Sequence, residues 1–99
     1  MAIKAVVIFK LKEQDREKVI ANLFQFIEKA KANPGCVSIE FLEGLDDPHQ
    51  FAFIETWRDE SSFLEHTQSA NFQMMAPYIG THFIDLKVHR MTDVVLDQY

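Results

Sequence analysis

Hydrophobic residues in this chain follow two periods that alternate along the sequence, and this alternation constrains the fold more than any other feature. Residues 5–11 are apolar and rich in β-branched side chains, which predicts a strand. Over residues 15–32 apolar side chains recur at helical spacing, and Asn33-Pro34-Gly35 ends that pattern. Residues 37–43 and 51–58 return to the period of a strand and are joined by a turn rich in Asp and Pro, which predicts a hairpin.

The second half of the chain repeats the change of period. An acidic helix start at Asp59 leads into a helical pattern with a break at residues 69–71, a second helical piece that ends by Gly80, and a last strand over 84–91. The order β-α-β-β-α-β is that of the ferredoxin-like fold. We therefore predict one α+β domain over residues 1–99, with a four-stranded antiparallel sheet and both helical regions on one face.

The first and third strands carry apolar residues on both faces. In the first strand, Val7 and Phe9 lie on one face while Val6 and Ile8 lie on the other. A sheet covered on one side only alternates between apolar and polar residues. The second face therefore needs a cover, and we predict a homodimer packed sheet against sheet.

Composition and charge exclude several classes of protein. Hydrophobic residues make up 47% and charged residues 25%, which is typical of a globular domain. A net charge of −5 disfavours binding to nucleic acid, because phosphate backbones are anionic. The apolar run at residues 5–9 is far shorter than a membrane span, so we expect no membrane partner and a cytoplasmic location.

One RNA-binding fold shares the predicted element order and has to be weighed. The RNA-recognition motif carries aromatic residues on its third strand, and the pattern around Phe51 and Phe53 matches the middle of that motif. Its basic-glycine start is replaced by His49-Gln50, and its last aromatic residue by Thr56. An exposed sheet face bearing Phe51 and Phe53 would favour RNA binding, whereas a buried one would exclude it.

The most distinctive segment is Phe53-Ile54-Glu55-Thr56-Trp57-Arg58-Asp59-Glu60, followed by Phe63-Leu64-Glu65-His66 and Ser69-Ala70-Asn71-Phe72. It resembles the antibiotic-biosynthesis monooxygenase (ABM) family of dimeric α+β barrels. Members of that family have a strand ending in Glu-x-Trp, an acidic helix start and a histidine near the helix end. They include cofactor-free oxygenases of quinols and anthrones, haem-degrading enzymes, isomerases of small signalling molecules, and proteins without known activity.

The haem-degrading branch of the family can be tested residue by residue. It uses an asparagine on the first strand, a tryptophan on the second helix, and a haem-binding histidine ten residues later. Here the first strand has no asparagine, His66 stands at the tryptophan position, and Ala76 stands at the histidine position. The missing ligand argues against haem degradation.

The resemblance therefore implies cofactor-independent oxygenation of a small quinol- or anthrone-type aromatic. Such chemistry needs an apolar pocket and a base, and histidine suits the base because its pKa lies near 6.5. His66 shares a helix face with Phe63, which directs it toward the sheet. We predict that His66 is the base or a group that orients the substrate by a hydrogen bond, that His82 is the alternative base, and that Tyr78 donates to a substrate oxygen.

Further residues are expected to shape a pocket between sheet and helices. Aromatic and methionine side chains form adaptable linings for an aromatic ligand. The predicted lining comprises Phe53, Trp57, Met74, Met75 and Phe83. Glu55 shares a strand face with Trp57, and Arg58 or Lys87 is its expected partner in a structural ion pair.

Two other functions remain open at this stage. A non-catalytic dimer that binds a small ligand would need the same pocket without an efficient base. An isomerase of a small signalling molecule is the other alternative. The sequence contains no HxxH, HxH or CxxC motif, so we expect neither a metal site nor a cofactor, and Cys36 is expected to be a buried structural thiol.

Overall fold

The computed structural model describes residues 1–95, which form four strands and three α-helices. The elements follow the chain in the order β1 (Ile3–Lys10), α1 (Arg16–Lys31), β2 (Cys36–Glu43), β3 (Gln50–Trp57), α2 (Glu60–Gln68), α3 (Ala70–His82) and β4 (Ile84–Met91). A short 3-10 turn at Glu13–Asp15 precedes α1. The predicted break in the second helical region is confirmed, since Ser69 separates α2 from α3 in an extended conformation.

The strands form one antiparallel sheet in the order β2-β3-β1-β4. The central pair is β1 and β3, with Val7 opposite Phe53. On its other side Val7 is opposite Val88 of β4. This is the ferredoxin-like topology predicted from the order of elements, and the α+β fold is confirmed.

The core lies between the sheet and α1. Phe9, Phe51 and Phe53 from the central strands meet Leu23 and Val19 of the helix, and all five are at most 5% exposed. Burial of each such side chain contributes roughly 1.5–3 kcal/mol to folding. Because Phe51 and Phe53 lie under the helices rather than on an exposed sheet face, they do not form the stacking surface that an RNA-recognition motif requires.

Two details of the helical regions differ from the expectation. Phe24 is one of the apolar residues that recur at helical spacing over residues 15–32 and were expected to be buried, but it is 53% exposed. It lies at the margin of the helix face and meets Phe41 of the outer strand β2 edge-on. Helix α3 continues past Gly80 to His82. His82 is therefore the last residue of α3, two residues beyond the end by Gly80 that the pattern predicts.

The loop between α1 and β2 runs close to the start of α2. A Cβ atom at Gly35 would lie 2.3 Å from Cβ of Ser62, so this position requires glycine. The backbone N–H of Arg58 donates to the Gly35 carbonyl at 2.8 Å. This contact fixes the end of β3, and with it Trp57, relative to the first turn of α2.

The sheet face opposite the helices carries both apolar and polar side chains. Val6, Ile8 and Ile54 are partly accessible on this face of the single chain, and β4 is exposed along its whole length. Such a surface is compatible with a sheet-to-sheet homodimer. The homodimer stays a prediction.

Candidate functional site

A cavity of about 340 Å³ lies between the sheet and helices α2 and α3. Most of its lining is apolar and includes Val7, Phe53, Phe72, Met75, Ile79 and Leu86. The polar groups in the lining come from Glu55, His66 and Thr67. A largely apolar cavity of this size with a few polar groups is typical of a small-molecule site.

His66 is carried into this cavity by helix α2. The carboxylate of Asp59 accepts a hydrogen bond from the backbone N–H of Ser62 at 2.8 Å and so caps the start of the helix. His66 then falls near the end of the second turn and is only 4% exposed. Burial lowers the pKa of its imidazole below the usual range, which favours the neutral ring.

Aromatic rings hold the imidazole of His66 on two sides. The indole of Trp57 lies nearly parallel to it, with ring centroids 4.3 Å apart and an angle of 23° between the planes. The ring of Phe72 meets it edge-on at 5.2 Å. The imidazole is therefore held in one orientation by packing between β3 and α3.

Glu55 is the second titratable group at the cavity. Its Oε1 atom accepts a hydrogen bond from Nε1 of Trp57 at 3.0 Å and lies 3.6 Å from Nε2 of His66. Burial raises the pKa of this carboxyl, and the bond from Trp57 offsets only part of that effect. The pKa directions of the two groups both favour their uncharged forms.

The expected ion pair of Glu55 with Arg58 or Lys87 is wrong. Arg58 lies beyond the end of β3, and its Nε atom is 3.5 Å from Asp59. Lys87 belongs to the exposed strand β4. The partners of Glu55 are instead the indole and imidazole of Trp57 and His66, which pack over it from the same face of the sheet.

The predicted lining residues divide into two groups. Phe53 and Met75 line the cavity, whereas Trp57 is fully buried beneath His66. Phe83 stacks on Phe9 in the core, with ring centroids 3.7 Å apart. Met74 is 66% exposed, because adjacent helical residues point about 100° apart and Met75 takes the inward position.

Tyr78 and His82 lie away from the cavity lining, on the seam between α1 and α3. The Nδ2 group of Asn22 donates to the Tyr78 hydroxyl at 2.7 Å. The ring of His82 lies 4.4 Å from that of Tyr78, and its Nδ1 atom is 3.8 Å from Asp15. The structure therefore brings His66 together with Phe53 and Met75, but not with Tyr78 or His82.

Sequence reasoning missed the position of Glu55 in the cavity wall and the contributions of Thr67 and Phe72. The alternation of Phe53, Glu55 and Trp57 along β3 was the available signal, since it places the carboxyl on the helix-covered face. Helical spacing from His66 could not identify Phe72, because the chain bends between α2 and α3.

Within residues 1–95, no three His, Cys, Asp or Glu side chains are close enough together to hold one metal ion. No helix in the same range is long and apolar enough to cross a membrane. Cys36 is partly buried, and burial raises the pKa of its thiol.

Comparison with solved structures confirms the fold. A conserved protein from Methanosarcina mazei superposes with a TM-score of 0.89 and 20% identity, covering 95% of this chain and 94% of that one. The crystal structure of an antibiotic biosynthesis monooxygenase gives a TM-score of 0.85 at 26% identity, with 94% of this chain and 99% of the other covered.

Sequence comparison identifies the family. The chain is 35% identical over 87 residues to the uncharacterized Synechocystis protein sll1783, a match that covers 85% of this chain and 59% of the longer relative. The chain thus spans less than two thirds of the length of that relative. The profile of the family described as Antibiotic biosynthesis monooxygenase matches residues 2–77. The chain belongs to the antibiotic biosynthesis monooxygenase family.

Proposed function

We propose that this protein is a cofactor-independent monooxygenase of a small aromatic substrate with an acidic hydroxyl or an activated CH₂ group, such as a quinol or an anthrone. The observation that carries the proposal is the buried imidazole of His66 in the wall of an apolar cavity. The pKa of that imidazole is lowered by burial, so it is uncharged at neutral pH and able to accept a proton.

The reaction begins with proton transfer from the substrate to His66. The resulting carbanion or phenolate is electron-rich and gives an electron to O₂, and the two radicals combine to form a C–O bond. For an anthrone, the CH₂ carbon becomes C=O, one oxygen atom of O₂ enters the product, and the other leaves as water. The substrate supplies all four electrons that O₂ accepts, so the balance requires no external reductant.

The cavity supports this chemistry in two further ways. Its apolar walls, including Phe53, Phe72 and Met75, suit the rings of an aromatic substrate and the apolar O₂ molecule. Since Glu55 and His66 both favour their uncharged forms, a neutral substrate meets no fixed charge there. These features favour neutral phenols and anthrones over carboxylates.

The crystal structure described as an antibiotic biosynthesis monooxygenase, with 26% identity and nearly full coverage, supports the same class of activity. We also propose that the protein acts as a homodimer, with the partly accessible apolar residues of the open sheet face covered by a second copy. Tyr78 and His82 have no part in this proposal, because neither lines the cavity.

A second candidate is a non-catalytic module that binds a small apolar ligand in the same cavity. The near-absence of polar groups among the lining residues favours it, since a cavity needs only shape and apolar surface to bind. An isomerase acting at the same histidine would bind a more polar substrate, for which Glu55, His66 and Thr67 are the available partners.

The test is oxygen uptake by metal-free protein with a panel of reduced quinones and anthrones. We compare the unchanged protein with His66→Gln and, as a matched control, with His82→Gln. The monooxygenase function predicts uptake well above the buffer rate, lost in His66→Gln and retained in His82→Gln. Binding without protein-dependent uptake would instead establish the ligand-binding module.

A further inference from the structure

One carboxylate oxygen at the cavity faces two ring nitrogens. Oε1 of Glu55 is 3.0 Å from Nε1 of Trp57 and 3.6 Å from Nε2 of His66. An indole nitrogen only donates hydrogen bonds, so Oε1 is an acceptor in this arrangement. When Glu55 is uncharged, this contact favours its proton on Oε2, because a carbonyl oxygen accepts a hydrogen bond better than the oxygen of an O–H group does.

The protonation of the facing imidazole nitrogen follows from the same contact. An unprotonated Nε2 would point a lone pair at the lone pairs of Oε1, whereas a protonated Nε2 points an N–H group at them. The second arrangement is attractive whether Glu55 is charged or neutral. The 3.6 Å separation is slightly longer than a hydrogen bond, and such contacts commonly shorten when substrate binds.

We propose that Glu55 is a positioning residue that keeps neutral His66 in the Nε2–H tautomer, so that Nδ1 is the nitrogen that accepts the substrate proton. The assignment of Nδ1 as the base rests on the proposed function, whereas the tautomer does not. Glu55 acts by setting the tautomer of His66, and Trp57 acts by holding the carboxyl of Glu55 with a hydrogen bond.

The surroundings of Glu55 are rigid enough for this task. It lies on the inner strand β3, between Ala5 of β1 and Ile39 of β2, and its side chain is only 12% exposed. Trp57, which donates to it, is fully buried. The carboxyl of Glu55 and the indole of Trp57 are thus fixed on one strand, and the imidazole of His66, carried by α2, packs against both.

One other titratable group close to Glu55 does not compete for this role. The thiol of Cys36 lies near enough to be affected by the charge of Glu55. Its pKa is raised first by burial and then by that charge, so it remains protonated at neutral pH. An uncharged thiol is a weak hydrogen-bonding group and leaves the contact between Glu55 and His66 undisturbed.

The experiment records the ¹⁵N chemical shifts of the His66 ring nitrogens near pH 7.5, where the ring is neutral. In the unchanged protein we expect the proton predominantly on Nε2, with a minor Nδ1–H population. Glu55→Gln keeps a carbonyl acceptor and retains this tautomer. Glu55→Leu removes the acceptor, and we expect the Nδ1–H population to rise about fivefold, the factor that corresponds to one ordinary hydrogen bond. The exposed Glu65→Leu serves as the matched control and leaves the tautomer unchanged.

The spectrum of the unchanged protein can overturn the proposal by itself, even if Glu55→Leu fails to fold. An Nδ1–H tautomer there would contradict it, as would an unaltered tautomer in folded Glu55→Leu.

Oxygen uptake separates this proposal from the proposed function. An Nε2–H tautomer without protein-dependent uptake would refute only the monooxygenase function, whereas His66-dependent uptake with an Nδ1–H tautomer would refute only the role of Glu55. Where both hold, Glu55→Leu lowers kcat more than it raises KM, and Glu55→Gln restores it.

Discussion

The imidazole of His66 lies flat against the indole of Trp57, with ring centroids 4.3 Å apart, and both rings face the carboxyl of Glu55. The indole of Trp57 thus stacks on the imidazole of His66 and donates a hydrogen bond to the carboxyl of Glu55. Trp57 therefore contributes to the cavity through its neighbours rather than by lining it.

Replacing Trp57 with Phe should destabilise the fold by about 2–4 kcal/mol. The substitution removes the N–H group that satisfies Oε1 of Glu55 and leaves space at a fully buried site. Urea denaturation measures the free energy of unfolding. Tyr78→Phe is the matched control, because it removes a bond to Asn22 at a partly buried site and should cost only about 0.5–1.5 kcal/mol. Equal losses in the two variants would contradict the role of the indole.

Glu55 should make the protein less stable as the pH rises. Burial raises its pKa in the folded chain, whereas in the unfolded chain the carboxyl titrates near about 4.3. The folded state therefore binds this proton more tightly, and the free energy of unfolding falls from about pH 4.3 up through the raised pKa. A glutamine at this position cannot ionise. In Glu55→Gln, urea denaturation between pH 4 and 8 should therefore show that the free energy of unfolding no longer has this decline.

His66 contributes a slope of the opposite sign, which must be separated from that of Glu55. Its pKa is lowered by burial, so the unfolded chain binds the proton more tightly and the free energy of unfolding falls as the pH drops below about 6.5. Measuring Glu55→Gln in a His66→Gln background isolates the carboxyl. The exposed Glu65→Gln should leave the profile unchanged, and an identical effect at both glutamates would contradict the buried position of Glu55.

Filling the cavity from α3 should weaken ligand binding. Ala76 lines the cavity, so Ala76→Trp places a large ring where the aromatic ligand is expected. We predict that the affinity for 1-naphthol, followed by calorimetry, falls at least about tenfold, which corresponds to roughly 1.4 kcal/mol. Met74→Trp on the exposed side of the same helix is the control and should bind as the unchanged protein does. Unaltered binding by Ala76→Trp would place the ligand elsewhere.

Phe83 and Met74 both lie outside the cavity, but replacing them should change the free energy of unfolding by very different amounts. Phe83→Ala removes the ring that stacks on Phe9 in the core and should cost about 3–5 kcal/mol. Met74→Ala, at an exposed position, should change the free energy of unfolding by less than about 0.5 kcal/mol. Thermal or urea denaturation would contradict the assignment of Phe83 to the core if the two losses were similar.

The order of strands and helices could be predicted because each element has its own hydrophobic period. The direction of His66 toward the sheet could be predicted in the same way, since Phe63 fixes the inward face of α2. Met74 and Met75 could not be told apart, because their positions depend on the rotation of α3 after the bend at Ser69. The end of α3 at His82 could not be predicted for a related reason, since the helix runs past Gly80.

The side chains that contact Glu55 also could not be predicted from the sequence. Its position on a covered strand face follows from alternation, but the groups that cover it depend on how α2 packs on β3. A buried carboxylate is usually paired with a cationic group, which is why Arg58 and Lys87 were the expected partners. Here an indole on the same strand and an imidazole from the next helix take that place.

On the proposed function, the cavity beside His66 binds an aromatic substrate into which one atom of O₂ is inserted without a cofactor. The most direct test is to react metal-free protein with an anthrone under ¹⁸O₂ and to measure the molecular mass of the product by mass spectrometry. We expect one ¹⁸O atom in each quinone product. The product should form faster with the unchanged protein than in buffer, and at the buffer rate with His66→Gln. Equal rates with and without the protein, or with His66→Gln, would contradict the proposed function.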